Sequence, residues 1–140
     1  MHKLMLTGSL LLLTGCAGFG LPYHDPSQAW IDLNSHQEDT KLQALDVDDK
    51  AATDKRYFQV PPGSHELTVR YKFTVEPTNI GPDAAPLWRD CQLNVKYSEF
   101  SAGERYQLHA GNIGFRPWAK LYNQQGKVIG QGTPAGCQHT

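Results

Sequence analysis

The sequence predicts an all-β domain, an antiparallel β-sandwich or small barrel of about seven or eight strands. Three observations carry that expectation. Residues 65–76 alternate with period two: Leu67, Val69, Tyr71, Phe73 and Val75 stand between Glu66, Thr68, Arg70, Lys72, Thr74 and Glu76. Shorter segments of the same pattern recur between Gly-, Pro- and Asn-containing turns. No segment places its apolar residues at helical spacing.

Taken in order, residues 30–33 and 44–47 read as the first two strands. Residues 56–60 read as the partner of the long 65–76 strand, in a hairpin turned by Pro61-Pro62-Gly63. On that long strand Val69 and Tyr71 are expected in the core, and Arg70 and Lys72 in water and dispensable. In residues 91–97, Cys91, Leu93, Val95 and Tyr97 alternate with polar partners. Residues 106–110 do the same after a Ser101-Ala102-Gly103-Glu104 turn. Residues 118–122 and 127–129 flank the hairpin loop Asn123-Gln124-Gln125-Gly126.

The N-terminus has a different character. His2-Lys3 is followed by an apolar run from Leu4 to Leu13, and the run ends in Leu13-Thr14-Gly15-Cys16. The run is too short for a membrane span, which takes roughly 20 apolar residues. It reads instead as an export signal over residues 1–15. The Leu-Thr-Gly-Cys motif resembles the lipobox of bacterial lipoproteins. That resemblance implies cleavage before Cys16 and acylation of its thiol, palmitate included, with attachment to a membrane through lipid. Ala17 stands where an aspartate commonly retains such proteins in the inner membrane. The resemblance therefore implies the outer membrane, facing the periplasm. Residues 16–27 read as a tether, residues 28–137 as the β-domain and residues 138–140 as a polar tail.

Cys91 and Cys137 remain, and an exported chain meets an oxidising compartment, so one disulfide is expected between them. By chain-entropy arithmetic a loop of that length is worth roughly 4 kcal/mol. Without residues 1–15 the chain carries 12 Lys+Arg against 14 Asp+Glu, a formal charge of −2. That balance offers no footprint for nucleic acid and no polybasic patch for a membrane surface.

Residues 44–71 carry a second resemblance. Leu45-Asp46-Val47-Asp48-Asp49-Lys50 and, later, Val60-Pro61-Pro62-Gly63-Ser64-His65-Glu66-Leu67-Thr68-Val69 resemble PEGA-type surface modules. In those modules a strand reaches an Asp-Gly-Lys turn and a proline-glycine hairpin follows; here Asp49 takes the glycine's place. Ala102-Gly103-Glu104-Arg105-Tyr106-Gln107-Leu108 resembles the strand that often comes next. The likeness implies a non-catalytic β-domain and names no ligand.

Chemistry is sparse. Asp46, Asp48, Asp49 and Asp54 form an acidic group, but Lys50 occupies the fifth ligand position and Tyr57 the place of the bidentate glutamate in a calcium loop. His65 and His109 stand at no metal-ligand spacing, and His109 is expected to face solvent. Asp90, Glu99 and Glu104 have no reason to converge as a pair of catalytic carboxylates. No G-x-S-x-G, H-E-x-x-H or phosphate-loop pattern occurs. Neither enzyme activity, nor a cofactor, nor a metal is expected.

Two loops stand out. Residues 77–88 include Ile80, Leu87 and Trp88; residues 111–118 include Phe115, Arg116 and Trp118. Long loops with aromatics and arginine favour interaction, while the plainer role for the aromatics is to cap the ends of the core. Two strands separate the loops, so both are expected at one end of the domain. The expected function is a lipid-anchored cell-envelope protein acting as a non-catalytic structural or protein-interaction module, its partner another envelope protein. A ligand- or glycan-binding protein or an inhibitor of a hydrolase comes second, and an enzyme third.

Overall fold

The computed structural model describes residues 24–75 and 87–139. Nine strands form one curled mixed sheet, a half-barrel, with no helix among the described residues. They are β1 (Ala29–Ser35), β2 (Lys41–Val47), β3 (Lys50–Ala51), β4 (Tyr57–Val60), β5 (Gly63–Val75), β6 (Leu87–Phe100), β7 (Arg105–Ile113), β8 (Arg116–Tyr122) and β9 (Val128–His139). Their order across the sheet is β3-β2-β5-β6-β9-β8-β7-β1-β4. All pairings are antiparallel except β1 with β7, which run parallel with Ile31 beside Tyr106 and Leu33 beside Leu108.

β9 is the spine between the two arms of the curl. Its first residues pair with β8, Gln131 opposite Lys120, and its remainder pairs with β6, Cys137 opposite Cys91. The strand can lie so close to both neighbours because it has few side chains on its inner face. A Cβ on Gly132 would stand 2.9 Å from that of Ala119 and 3.2 Å from a Val95 methyl.

The inner faces of both arms make one core. Leu67, Val69, Tyr71, Phe73 and Val75 of β5 are buried, as their alternation predicts, against Ile31, Phe58, Leu93, Val95, Leu108 and Leu121. Outside one arm, Trp30 is covered by Tyr57, stacked at 4.1 Å, and by the Arg105 guanidinium 4.9 Å above its ring. The expected disulfide is present, linking Cys91 to Cys137 across a sequence separation of 46.

Several expectations are corrected. β4 is not the hairpin partner of β5: it pairs with β1 at the far end of the sheet, Ile31 opposite Phe58. Pro61 and Pro62 offer no N–H donors and Gly63 takes φ 117°, so the chain turns a corner there instead of folding back. Residues 111–118 are not a loop. β7 and β8 run on to a two-residue turn at Gly114-Phe115, with Ile113 opposite Arg116 and Gly114 at φ 60°.

Gln138 and His139, expected as tail, belong to β9. At the other boundary, Asp25 of the expected tether donates its N–H to the Gln59 side chain at 2.8 Å. Arg70 is not simply solvated, because it forms a bidentate ion pair with the buried Asp90. Beside it Thr68, also buried, donates to the Asn94 amide oxygen at 2.8 Å. β3 is a ninth strand the alternation did not reveal; with two residues it is too short to show any.

Candidate functional site

At one end of the half-barrel, the β1–β2 connection, the end of β5, the start of β6 and the β7–β8 turn surround a cleft of about 690 Å³. Residues 37–41 form one wall. Lys72, Thr74 and Val75 of β5 and Trp88 of β6 form another, and Asn112 and Gly114 close it. Trp88 stands directly opposite Thr74 and is 48% exposed.

The cleft floor is stitched across the core. Tyr71 is wholly buried, so its hydroxyl needs a partner. It donates to the Asn112 side-chain oxygen at 2.7 Å and lies 3.2 Å from the Gln37 side-chain oxygen. Burial pushes the Tyr71 hydroxyl above its ordinary pKa. Gln37 extends the parallel β1–β7 ladder with its side chain. Its amide donates to the Asn112 carbonyl at 3.0 Å and its oxygen accepts the Asn112 N–H at 2.9 Å. The cleft wall is thus anchored to both arms of the sheet.

Next to this clamp, His36 Nε2 and His109 Nδ1 share a hydrogen bond of 2.7 Å. His36 meets the Trp118 indole edge-on at 4.9 Å, and His109 lies 4.5 Å from the Tyr122 ring. Burial first, and the neighbouring His36 second, hold His109 below the usual histidine pKa. Trp118 lies over Gly111, where a Cβ would fall 2.6 Å from an indole carbon. His109 therefore does not simply face solvent, as the alternation had suggested. It is half-buried in a ring cluster outside the β1–β7–β8 arm.

The residues singled out in the sequence have separate fates. Leu87 and Phe115 pack against the core and cap it. Trp88 is half exposed in the cleft wall, and Arg116 is exposed on the β7–β8 turn opposite an Ile113 that is also exposed. Trp118 belongs to the histidine cluster; it does not line the cleft but packs against Gly111, beside the cleft residue Asn112. Leu87 and Trp88, expected in a loop, instead open β6, and residues 76–86 lie outside the described residues. Just past them Arg89 donates to the Phe115 carbonyl at 3.2 Å, and its guanidinium lies 5.7 Å above the Phe115 ring. Ile80, the lipobox and Cys16 lie outside the described residues.

His65 pairs with Asp48 instead of His109, at 2.6 Å, while Asp54 pairs with Arg56 at 2.8 Å. Hydrogen bonds from Arg56 pull the Asp54 carboxyl down to about 2. The acidic group is thereby split between two turns. Among the described residues no set of three or more His, Cys, Asp or Glu side chains converges as a metal site.

Sequence reasoning missed Gln37, Glu38, Asp39, Lys41 and Asn112 as parts of one site. Residues 36–40 read as an ordinary polar connection, and the parallel β1–β7 pairing that brings them to Asn112 leaves no mark in either segment. One signal was present: a tyrosine at a core position of the cleanest strand, whose hydroxyl requires a polar partner inside.

No protein-family model, curated protein or solved structure matches the chain.

Proposed function

We propose that the chain is a lipid-anchored cell-envelope protein whose β-domain is a non-catalytic binding module. The observation that carries the reading is the Cys91–Cys137 bond. Disulfides persist in oxidising compartments outside the cytoplasm. With these two cysteines bonded, the chain's third is Cys16, at the end of the lipobox-like Leu-Thr-Gly-Cys motif. Lipid supplies a tether that the near-neutral surface does not, and stable anchoring takes more than one acyl chain. On this reading the protein faces the periplasm from the outer membrane and meets another envelope protein through the exposed Ile113 and Arg116 at the β7–β8 turn.

The test is metabolic labelling with a fatty-acid probe, followed by fractionation. The full chain is expected to incorporate label and sediment with membranes, and Cys16→Ala to do neither. Equal labelling and sedimentation of the variant overturns the reading.

A second reading, a binder of small ligands or glycans, is favoured by the cleft beside Trp88. Concave sites with a few convergent polar groups are where such ligands bind.

A further inference from the structure

The geometry points to a neutral oligosaccharide as the ligand of the cleft, stacked on Trp88. This deepens the ligand-binding reading of the same site and is independent of the lipid anchor. The cleft offers one flat apolar surface, the exposed indole of Trp88; Val75 behind it is buried in the core. Around that surface stand groups that donate and accept hydrogen bonds. Glu38 and Asp39 come from the β1–β2 connection, and Lys41 and Lys72 face each other across β2 and β5.

None of these four charged side chains forms an ion pair among the described residues, although Lys72 stands opposite Asp90 and acts on its carboxylate through space. Among the described lining residues two ammonium groups stand against two carboxylates, a balanced set that favours a ligand without net charge. A large apolar ligand would leave these polar groups without water or partners, at a cost. A pyranose ring suits both halves of the site. Its C–H face is flat and apolar, and its hydroxyl edge donates and accepts in every direction. A volume of about 690 Å³ accommodates two or three such rings.

The wall is also built to hold its shape. Gln37 is clamped to Asn112 by two hydrogen bonds, and Tyr71 holds Asn112 from across the core. A site organised before the ligand arrives loses less freedom on binding.

The experiment titrates chitotriose, cellotriose and maltotriose separately into the full chain, as the cell processes it, in a sugar-free detergent. Binding is followed by calorimetry and by tryptophan fluorescence. At least one trisaccharide is expected to bind and to shift the emission to shorter wavelength. Trp88→Ala is expected to weaken that binding by at least about tenfold and Trp88→Phe by less, since a phenyl ring keeps part of the flat face. Val128→Ala, exposed at the start of β9 and absent from the cleft lining, is expected to leave affinity within about twofold. Trp88 is exposed, so its removal is not expected to unfold the domain, and a thermal melt of each variant checks this. Failure of all three sugars to bind overturns the inference, as does a folded Trp88→Ala that binds as tightly as the parent. Either result leaves the lipid-anchor reading standing, because that is decided by labelling at Cys16.

Discussion

Nε2 of His36 lies 2.7 Å from Nδ1 of His109, so two imidazoles share one proton between the end of β1 and the middle of β7. The bond needs one nitrogen to donate and the other to accept, and a doubly protonated pair cannot form it. Lys120, directly opposite His109 on β8, adds a third cationic group to the same patch once both rings are charged.

That pair is expected to set an acid limit on stability. The folded-state pKa of His109 lies below its ordinary value, through burial and then through His36. A histidine shifted this way contributes stability that is complete above its unfolded pKa, near 6.5, and is lost as pH falls through the lower folded value. The melting temperature is therefore expected to fall between about pH 7.5 and pH 5. His109→Gln, which keeps a hydrogen-bonding side chain without the titration, is expected to flatten that fall. Melts of both proteins at the two pH values decide it. An identical fall in the variant would assign the acid sensitivity to other groups.

Arg70→Ala is expected to cost about 1–3 kcal/mol, well beyond an ordinary surface change. Arg70 places two nitrogens on the Asp90 carboxylate, at 2.9 Å and 2.5 Å, and Asp90 is only 7% exposed. Truncating the arginine leaves a buried charge without its partner. The outer end of the arginine is partly solvated, which keeps the expected loss below that of a fully buried pair. The double variant Arg70→Ala, Asp90→Ala should recover part of the loss. Urea denaturation of the two singles and the double gives the coupling energy. The hydrogen bonds from Arg70 also hold the Asp90 carboxyl below its ordinary pKa. Its contribution is present above about pH 4 and lost as pH drops further, a window separate from that of His109.

What the sequence disclosed follows from how local each feature is. The β5 alternation from Leu67 to Val75 is set by neighbours two residues apart, and the structure buries each of those residues. The β8–β9 loop was equally legible. The Asn123 side chain accepts the N–H groups of Gln125 and Lys127, and Gly126 takes φ 78°, so the turn is written in four adjacent residues. Most of β9 was not legible, because Gly130, Gly132, Pro134 and Gly136 give no apolar period. That strand is specified by what its neighbours leave room for, Ala119 and Val95 above all. The Arg70–Asp90 pair spans a diagonal between strands, which alternation along one strand cannot show. The cleft depends on the parallel docking of β1 beside β7 and was the least legible part of all.

The disulfide is expected to hold β9 in place more than it holds the core. Replacing Cys91 and Cys137 together by alanine should cost roughly 2–4 kcal/mol, by the entropy returned to the unfolded chain. Native-state hydrogen exchange should show the loss first in residues 132–139 of β9, where glycine and proline provide few apolar anchors, and later in β5. Uniform loss of protection across β5, β6 and β9 would mean that the three strands open as one unit. Mass spectrometry of protein taken from cells under non-reducing conditions should find the Cys91 and Cys137 peptides joined.

The β2–β3 turn sets two aspartates against each other. Asp48 and Asp49 both have positive φ, 51° and 67°, in the two-residue loop between Val47 and Lys50. Left-handed backbone at both central positions is the conformation in which glycine is favoured, and it strains a residue with a Cβ. Asp49 makes no side-chain hydrogen bond that would offset its left-handed backbone among the described residues. Asp49→Gly is therefore expected to stabilise the protein by about 0.5–1 kcal/mol. Asp48→Gly relieves similar strain but removes a side chain in use. Its carboxylate accepts the Glu66 N–H at 2.8 Å and meets His65 Nδ1 at 2.6 Å, and these contacts tie the turn to the start of β5. That variant is expected to be less stable than the parent by about 0.5–1.5 kcal/mol, the loss of two hydrogen bonds at an exposed site outweighing the strain. The two substitutions are adjacent and chemically identical, so urea denaturation should show opposite signs only if the side-chain contacts of Asp48 outweigh its backbone strain. Two variants that are both more stable would mean that the Asp48 contacts with His65 and Glu66 contribute less than the strain they accompany, and that the β3 edge is held by backbone pairing alone.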